Sequence, residues 1–527
     1  MVGVLNCSAG RPAAVATPGD SRPAQGHGVT GTYVDRLVQV LAAAPERVIL
    51  QRGAEPTRGR QLLEAIHRYA RVLESRDIGR GDVVAIFAVN GMESLAIRYA
   101  ANLVGAGACF LSVPSTSQAR AELIAAIHPR LLVVFPESAA LVPCGCTLPV
   151  AGIGTAPPNG FDLKAAASDV SPAPMASRGR PKDLAVIISS GGSTGVPKGS
   201  WRTFEAYARM VAVASPRDRR QLVNGPLAYL SQVLVDVTLL GGGTVVFQDR
   251  YDAAKTASAI ERERITDLFL VEPQLFDLMD HPCLAGTDLS SLRTLTHIGA
   301  SAPPSLRRRA RERFGPRVVH VYGASEEGLV SALAGGPGDA SADDFHSAGH
   351  VLPGVEVRLR REDGTLASAG EAGCIEVRSP AMAQGYRNRP DLEAQAFRDG
   401  WYRSGDLARL DIDGTLQILG RAVDIAFVDG RMVSPTSIED ALCGLPDVRY
   451  ACVVREAHIG RWIALVLPHH GVPLDLTRCR RAVAARHGPG VADSVVWLTP
   501  DHVPLTPQGK PDREAIRALA AEGPVPA

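Results

Sequence analysis

The chain has 527 residues, too many for one ordinary hydrophobic core, and this length predicts two or more domains. Its 56 basic and 55 acidic residues give a net charge of +1, and only 5% of the residues are aromatic, so the composition argues against a nucleic-acid partner. Nine cysteines occur without a C-x-x-C pair or a regular framework, which is typical of a reduced, intracellular protein.

The first 28 residues are rich in Gly, Pro, Ala and Ser and lack the basic start and the apolar stretch of a secretory signal. We predict that residues 1–28 form a disordered leader. The most apolar window, residues 225–247, contains Gln232, Asp236 and three consecutive glycines, and it predicts a buried helix, a turn and a buried strand rather than a membrane span. We therefore expect a cytoplasmic protein without stable membrane insertion, and the sequence leaves its oligomeric state open.

Helical patterns and short apolar strands alternate along the first part of the chain, for example at Val83–Phe87 and Leu131–Phe135. This alternation predicts α/β layers with parallel strands up to about residue 141, and a second α/β unit from about 183 to 345. Between them, residues 154–182 are rich in Pro, Ala and Ser and predict a long connection. From residue 350 to 418 the strands become shorter and turn-rich, which predicts a small β-barrel or an antiparallel sheet.

A twelve-residue loop follows the apolar run Asp183–Ile188 and reads Ser-Ser-Gly-Gly-Ser-Thr-Gly-Val-Pro-Lys-Gly-Ser at positions 189–200. Its backbone N–H groups, hydroxyls and one ammonium can approach a polyphosphate without bulky side chains in the way. It is not a Walker loop, because Pro197 precedes Lys198 and Gly199 follows it. Pro197 and Gly199 also interrupt the helix that a G-x-S-x-G hydrolase elbow at Ser193 requires. The loop therefore predicts a nucleoside triphosphate site.

Further short motifs follow the loop in order over more than half of the chain. They are the segments Val321–Gly328, Gly370–Asn388, Trp401–Asp406, Gly420-Arg421 and Pro504–Arg513. Together with the loop, they resemble the ordered motifs of the adenylate-forming superfamily, which includes acyl-CoA ligases, adenylation domains of peptide synthetases and firefly-type luciferases. The resemblance is closest in type to the acyl-CoA ligases.

This resemblance implies an α/β fold with a large N-terminal domain, built from two α/β subdomains and a small β-barrel, and a small mobile α+β C-terminal domain. The implied boundaries are residues 29–419 for the N-terminal domain, 420–424 for the hinge and 425–527 for the C-terminal lid domain. The implied reaction joins a carboxylic acid to ATP, releases pyrophosphate and transfers the acyl group from the acyl-adenylate to coenzyme A (CoA). ATP, Mg²⁺ and CoA are the cofactors expected on this basis.

The resemblance also assigns roles to individual residues. Lys510 is expected to be the principal catalytic residue, reaching the attacking carboxylate and the bridging phosphate oxygen, and Glu326 is expected to bind Mg²⁺ and take part in catalysis. Asp406 is expected to accept hydrogen bonds from both ribose hydroxyls, with the cationic fork of Arg421 beside it. Tyr322 is expected to stack on adenine. The other expected nucleotide-binding residues are Ser190, Ser193, Thr194, Gly195, Lys198, Ala300, Ser301, Gly323, Ala324 and Ser325.

The expected substrate-binding residues are Tyr229, Gly299 and Gly323. The pocket segment Pro226–Gln232 has neither the acid that amino-acid-activating relatives carry nor the His-Asn of relatives that activate hydroxybenzoates. Its composition favours an apolar or weakly polar organic acid over an amino acid. Tyr229 could line or gate that pocket, and plain packing explains it nearly as well.

Several positions depart from the family pattern after the hinge arginine. The hinge position itself is Val423, with Asp424 next to it, and the lysine expected further along is replaced by Phe427. Asp429 occupies a frequently basic site beside Gly430, in the segment expected to serve thioester formation. The hypothesis is that adenylation is intact, while thioester formation with CoA is weak, is specialised for a carrier protein, or is passed to a partner enzyme.

Each expected role has a plainer alternative. Glu326 and its neighbour Glu327 could be two surface acids at a helix start, and Lys510 an exposed turn lysine. Asp406 could be a turn residue, and Tyr322 a core residue. A serine hydrolase is disfavoured by the interrupted helix, and a catalytically silent nucleotide-binding protein by the presence of all the expected catalytic side chains.

Overall fold

The computed structural model describes residues 31–114, 116–190, 197–299, 302–334 and 345–522. The predicted leader lies outside these residues. The α-helices are α1 (Tyr33–Ala43), α2 (Gly59–Glu74), α3 (Met92–Leu103), α4 (Ser117–Ile127), α5 (Leu163–Ser168), α6 (Phe204–Val211), α7 (Leu230–Leu240), α8 (Ala253–Arg262), α9 (Glu272–Asp280), α10 (Pro304–Phe314), α11 (Pro390–Ala396), α12 (Pro435–Cys443), α13 (Leu476–His487), α14 (Pro489–Asp493) and α15 (Arg513–Ala521).

The strands are β1 (Val48–Arg52), β2 (Glu55–Arg58), β3 (Val83–Ile86), β4 (Gly107–Phe110), β5 (Leu131–Val134), β6 (Val150–Gly152), β7 (Phe161–Asp162), β8 (Leu184–Ser190), β9 (Lys198–Thr203), β10 (Arg220–Val223), β11 (Thr244–Phe247), β12 (Asp267–Leu270), β13 (Thr294–His297), β14 (Val318–Ala324), β15 (Gly328–Ala334), β16 (His350–Val351), β17 (Glu356–Arg360), β18 (Ala372–Arg378), β19 (Gly385–Tyr386), β20 (Phe397–Arg398), β21 (Trp401–Leu410), β22 (Leu416–Arg421), β23 (Ala426–Val428), β24 (Arg431–Val433), β25 (Val448–Glu456), β26 (Arg461–Pro468) and β27 (Val495–Leu498).

The first sheet has the strand order β19-β9-β8-β4-β3-β5-β6-β7 within the described ranges. Its strands from β8 to β7 run parallel, while β9 and β19 are antiparallel additions at one edge. Strands β3, β4 and β5 are apolar and buried throughout, as expected for parallel strands covered by helices on both faces. The predicted α/β layering is confirmed, but the predicted units exchange strands, because β8 and β9 join this sheet whereas β1 and β2 join the second sheet.

The second sheet has the order β16-β15-β14-β13-β12-β10-β11-β1-β2, and its strands from β14 to β1 run parallel. Helices α3 and α6 pack on the first sheet, α7 packs on the second, and α6 contacts α7, so these helices fill the layer between the sheets. In that layer the buried guanidinium of Arg98 pairs with Asp236 at 2.7 Å, and the hydroxyls of Tyr99 and Tyr207 also donate to this carboxylate. The layer is therefore joined by a satisfied polar network as well as by apolar packing.

Residues 225–247 form α7, a glycine turn and β11, as the sequence predicted. Within the described part of the chain, no helix is both long and apolar enough to cross a membrane. The predicted connection at 154–182 contains regular secondary structure, namely β7 and α5. The Asp162 carboxylate accepts the N–H groups of Lys164 and Ala165 and so begins this short helix.

Strands β17, β18, β20, β21 and β22 form an antiparallel sheet, which agrees with the prediction for residues 350–418. The chain then forms the β23–β24 hairpin and a three-stranded sheet, β25-β26-β27, flanked by helices. This α+β unit packs on α9 and α10: the ring of Phe276 lies 4.9 Å from that of Tyr450, and Asp440 accepts the N–H of Ser305 at 2.8 Å. One hydrophobic cluster runs across this contact. The residue boundaries of the domains stay predictions.

Candidate active site

The candidate site lies where the two parallel sheets bring their strand ends together. Asn90, which follows β3, donates from Nδ2 to the carbonyl oxygens of Gly225 at 2.9 Å and Gln248 at 2.7 Å, which follow β10 and β11. The carboxyl edges of the two sheets are therefore adjacent. In α/β proteins this edge is the usual place for ligand binding. The predicted phosphate loop leaves β8 at the same edge.

Part of the predicted site lies outside the described residues, and its roles stay predictions. This part comprises Ser193, Thr194, Gly195, Ala300, Ser301 and the side chain of Ser190. Both ends of the loop are described: β8 and β9 pair antiparallel, with the backbone of Ser190 opposite Lys198. This pairing places Lys198 directly after the loop, at the start of β9.

A compact polar cluster lies where the loop ends. The ammonium of Lys198 lies 3.1 Å from Oε1 of Glu326 and donates to the hydroxyl of Tyr386 at 2.8 Å. That hydroxyl donates to the same Glu326 oxygen at 2.8 Å, and Oγ of Ser325 donates to Oε2 at 2.9 Å. The structure thus brings the expected phosphate-binding lysine and the expected magnesium-binding carboxylate into direct contact.

Glu326 and Glu327 are both buried, so the alternative that they are surface acids is wrong. Burial raises the pKa of Glu326, but the ammonium of Lys198 and the hydrogen bonds from Tyr386 and Ser325 outweigh it and hold this pKa below its usual value. Glu326 is therefore ionised at neutral pH. Among the described residues, no group of three or more His, Cys, Asp or Glu side chains could hold a metal alone. A single ionised carboxylate beside a phosphate loop nevertheless suits Mg²⁺, which is commonly bound by one or two carboxylates and substrate phosphates.

A second polar cluster contains the residues expected at the nucleoside. The hydroxyl of Tyr322 donates to Oδ2 of Asp406 at 2.6 Å, and Nε of Arg421 lies 3.1 Å from Oδ1. Arg421 also donates from Nη1 to the carbonyl oxygen of Ser404 at 2.9 Å, which fixes the orientation of its fork. Both oxygens of the Asp406 carboxylate therefore have protein partners, and ribose hydroxyls can take the place of these partners when a nucleotide binds.

The turn that carries Glu326 is held by a buried cation that the sequence analysis missed. Arg202 donates from Nη2 to the carbonyl oxygens of Ser325 at 2.7 Å and Glu326 at 3.2 Å. Burial lowers the pKa of Arg202 to about 10, so it stays charged at neutral pH. A Cβ on Gly323 would lie 2.1 Å from the carbonyl oxygen of Gly328, so only glycine fits the start of this turn. The exposed Ala324 follows it.

Two side chains of this site, Tyr386 and Arg202, were not predicted. Tyr386 lies in the segment Gly370–Asn388, which the sequence analysis recognised as a motif without assigning a residue in it. Strand β19 pairs with β9, with Tyr386 opposite Ser200, and this pairing brings the hydroxyl to the loop exit. Arg202 gives no sequence signal beyond its position after the loop, because its role depends on tertiary contacts.

Lys510 reaches the same site from the C-terminal unit. A Cβ built on Gly299 would lie 3.0 Å from Cε of Lys510 and 3.3 Å from Nζ, so the ammonium lies against this backbone. Thr506 shapes the loop: its N–H donates to the carbonyl oxygen of Lys510 at 2.8 Å, and its Oγ1 accepts the Lys510 N–H at 3.2 Å. Burial and the nearby Arg421 cation lower the pKa of Lys510, while the Glu326 carboxylate opposes this shift. The alternative of an exposed turn lysine is wrong.

A buried pair of carboxyl groups spans the contact between the C-terminal α+β unit and helix α9. Glu272 begins α9, Glu439 lies in α12, and both are buried. Oε1 of Glu439 accepts the N–H of Val453 at 2.8 Å, whereas Oε1 of Glu272 has no hydrogen-bond partner among the described residues. Burial raises the pKa of both carboxyls, that of Glu439 to about 7; Glu439 raises the pKa of Glu272 further, and Arg513 opposes both shifts. Docking of the C-terminal unit, which carries Lys510, is therefore linked to the protonation of these two carboxyl groups.

The hinge region differs in exposure along its length. Val423 is 76% exposed, whereas Asp424 accepts a hydrogen bond from Nη1 of Arg513 at 2.7 Å. On the following hairpin Phe427 is 72% exposed, and a Cβ on Gly430 would meet no heavy atom within 4 Å. The segment expected to serve thioester formation is therefore open to solvent in this conformation.

Tyr229 lies at the site edge with a strained backbone. It precedes α7 with φ 63° and ψ −138°, a conformation that favours glycine. Such strain persists only where the surroundings impose it, and it concentrates at ligand sites. Tyr229 is half-buried, and its role in substrate binding stays a prediction.

Comparisons with known proteins agree with this geometry. Residues 38–387 match the family described as AMP-binding enzyme. The chain is 30% identical to the medium/long-chain-fatty-acid–CoA ligase FadD8 of Mycobacterium tuberculosis, over 92% of this chain and 90% of that protein. It is 32% identical to the feruloyl-CoA synthase of an Amycolatopsis species, over 89% and 94%.

Among solved structures, the amide bond synthetase McbA from Marinactinospora thermotolerans matches with a TM-score of 0.79 and 31% identity, over 93% of this chain and 99% of that one. The fold, the ordered motifs and the relatives point to the same family. The chain belongs to the AMP-binding enzymes, a family of adenylate-forming ligases that includes acyl-CoA ligases.

Proposed function

We propose that this protein activates an organic, non-amino carboxylic acid with ATP, giving an acyl-adenylate and pyrophosphate, and then transfers the acyl group to the thiol of CoA. One observation carries the proposal: Lys510 of the C-terminal unit lies against Gly299, in the site that also contains Glu326 and Asp406. In this proposal Lys510 supplies a mobile positive charge, Glu326 binds the metal and Asp406 binds the ribose of one nucleotide.

In the proposed first step, a carboxylate oxygen of the acid attacks the α-phosphorus of ATP, and the bond to pyrophosphate breaks. Two anions must approach each other while charge builds up on the phosphoryl oxygens, so positioned positive charge supplies most of the catalysis. Lys510 would provide that charge at the attacking carboxylate and the bridging oxygen. Its lowered pKa reflects burial beside another cation, and the charge developing in the transition state would relieve this cost.

At the other end of the triphosphate, Lys198 would contact the β- and γ-phosphates. The ionised carboxylate of Glu326 would hold Mg²⁺, which, when bound, neutralises phosphate charge. Tyr386 keeps its hydroxyl between these two side chains and fixes their separation. Arg202 holds the backbone of the turn, so the carboxylate stays aimed at the phosphates.

At the nucleoside, Asp406 would accept the ribose hydroxyls, and Tyr322 would stack on adenine. In this structure the Tyr322 hydroxyl donates to Asp406, which places the ring and the carboxylate side by side. Arg421 supports the same carboxylate and lies near enough to Lys510 to affect its pKa. The nucleoside and phosphoryl parts of the site are therefore electrostatically connected.

The acid substrate is proposed to be apolar or weakly polar, because the pocket segment Pro226–Gln232 contains no charged residue. The fatty-acid and feruloyl relatives, by their names, act on acids of this kind. CoA is the acceptor that these names indicate. Location in the cytoplasm stays a prediction from the sequence.

A second acceptor class is favoured by a specific observation. Val423 and Phe427 are exposed, and neither supplies a positive charge for the phosphates of CoA. A solved relative of 31% identity is named an amide bond synthetase. An amine, or the thiol of a carrier protein, is therefore the alternative destination of the acyl group, with the adenylation step unchanged.

The test is product analysis by mass spectrometry. The protein is incubated with ATP, Mg²⁺ and a panel of aliphatic, arylalkyl and cinnamic acids, with CoA, with a primary amine, or with neither. We expect acyl-AMP without an acceptor and an acyl-CoA thioester with CoA. An amide in the amine reaction, together with acyl-AMP that persists in the presence of CoA, would replace CoA by an amine as acceptor. No acid-dependent AMP formation with any acid would refute the proposal.

A further inference from the structure

The first turn of helix α9 contacts the lysine loop, residues 504–513, and the mechanism above gives this contact no role. Gly509 directly precedes Lys510 in that loop. A Cβ built on Gly509 would lie 2.6 Å from Nε2 of Gln274, 3.2 Å from its Cδ and 3.3 Å from Cγ2 of Val271. The amide of Gln274 therefore occupies the space beside the Gly509 backbone into which any other residue would place its side chain.

The amide of Gln274 is held by its own helix. Its Oε1 accepts the N–H of Val271, the N-cap of α9, at 3.3 Å, and Gln274 is buried. The Gln274 carbonyl oxygen accepts the hydroxyl of Tyr251 at 2.8 Å, which fixes the backbone of the same turn. With Oε1 bound to the helix end, Nε2 is left facing the loop. The loop thus meets a fixed side chain rather than a flexible one.

The same turn of α9 also contacts the place that the Lys510 ammonium reaches. Val271 approaches Gly299 as well as Gly509, because a Cβ on Gly299 would lie 3.5 Å from Cγ1 of Val271. The ammonium itself lies against Gly299. One turn of α9 therefore touches both the backbone that precedes the lysine and the backbone beside its ammonium. A change in how the loop packs on this turn must change the position of the ammonium.

We propose that Gln274 is a positioning residue for adenylation, whose amide sets how deeply the lysine loop enters the site and so places the Lys510 ammonium. The proposal rests on the proposed function and deepens it, because it names the contact that fixes the catalytic geometry. Gln274 touches no reacting atom and acts through Gly509. A displacement of about 1 Å in a catalytic group can cost on the order of 10²-fold in rate, so a packing contact is enough to control adenylation.

The test is a double-mutant cycle across this contact, with acid-dependent ATP–pyrophosphate exchange as the readout. Gly509→Ala places a methyl group against the amide at a φ of +81° and should lower the exchange rate about tenfold or more. Gln274→Ala removes the amide and should lower the rate about threefold or more, through kcat rather than the KM for MgATP. In the double variant the methyl group enters the space left by the amide, so the rate should exceed the product of the two single effects about threefold or more.

A matched control separates the contact from backbone strain. Gly471 also lies in the C-terminal unit, has a φ of +74°, and a Cβ there would meet no heavy atom within 4 Å. Gly471→Ala carries comparable strain without a partner, so its effect on exchange should be additive with that of Gln274→Ala. The Tm of every variant is measured, and Gln274→Ser replaces Gln274→Ala in the cycle if the latter does not fold. Conversion of supplied acyl-AMP with the acceptor should show no coupling between Gln274 and Gly509, because Lys510 is assigned to adenylation alone.

Two results would overturn the inference. Additive effects of Gln274→Ala and Gly509→Ala on exchange would mean that the amide does not set the position of the loop. Equal coupling in exchange and in acyl transfer would mean that the contact only supports the fold. In both cases exchange by the wild type still supports the proposed function, whereas absence of exchange with every acid refutes the function itself.

Discussion

Replacing Gly299 by alanine would place a methyl group against the proposed catalytic lysine. Gly299 has φ +104°, a conformation that favours glycine. The new Cβ would lie 3.0 Å from Cε of Lys510, 3.3 Å from Nζ and 3.5 Å from Cγ1 of Val271. The two lysine contacts are too close for ordinary packing, so the ammonium must move by several tenths of an ångström, while Val271 limits relief on its side.

The magnitude follows from two effects. An alanine in the left-handed region costs roughly 1–2 kcal/mol of backbone strain, which lowers stability. A misplacement of about 1 Å in a catalytic group can cost on the order of 10²-fold in rate. We therefore expect Gly299→Ala to reduce adenylation about 10- to 100-fold, beyond any change explained by the loss of stability.

The assay separates the two half-reactions. Acid-dependent ATP–pyrophosphate exchange measures adenylation, and conversion of supplied acyl-AMP with the acceptor measures transfer. Gly299→Ala should lower the rate of exchange and largely spare the rate of acyl transfer, because Lys510 is assigned to adenylation alone. Gly364→Ala is the matched control: its φ is +85°, and a Cβ there would meet no heavy atom within 4 Å. Equal exchange rates in the two variants would refute the placement of Lys510.

Three further predictions concern other parts of the site. Tyr386→Phe removes one hydrogen bond from a buried carboxylate, worth about 1–3 kcal/mol, and should raise the KM for MgATP; an unchanged KM would contradict the cluster described here. Burial raises the pKa of Glu439 to about 7. The protonated carboxyl therefore stabilises the docked C-terminal unit fully at pH values below the usual glutamate pKa, and this stabilisation is lost as the pH rises through about 7. The Tm of the wild type should therefore fall more between pH 5 and 8 than that of Glu439→Gln, while the exposed control Glu137→Gln follows the wild type. Phe427→Ala should slow acyl transfer from acyl-AMP and leave exchange unchanged, and the opposite pattern would separate this hairpin from the acceptor step.

The parts of the fold that the sequence predicted are those encoded by contiguous residues. The window at 225–247 has a clear order of apolar stretch, glycines and apolar stretch, and it forms α7 and β11 as predicted. Helix α5 was missed because six residues are too short to show a helical period, and only the Asp162 cap marks its start. Short elements of this kind depend on local hydrogen bonds that composition hides.

The same distinction applies to the candidate site. Lys198, Glu326 and Lys510 were named from short motifs, and the structure brings all three into one region. Tyr386 was missed because its role arises from the pairing of β19 with β9, which no local pattern encodes. The burial of Glu439 opposite α9 likewise appears only when the C-terminal unit docks.

The central claim is that Lys510 drives adenylation of a carboxylic acid in this site. The most direct measurement is acid-dependent ATP–pyrophosphate exchange by the wild type, by Lys510→Ala and by Lys182→Ala, which removes an exposed lysine. We expect exchange in the wild type and in Lys182→Ala, and a loss of about 10³-fold or more in Lys510→Ala, with ATP binding retained. Exchange at the wild-type rate in Lys510→Ala, or exchange that does not depend on the acid, would contradict the account.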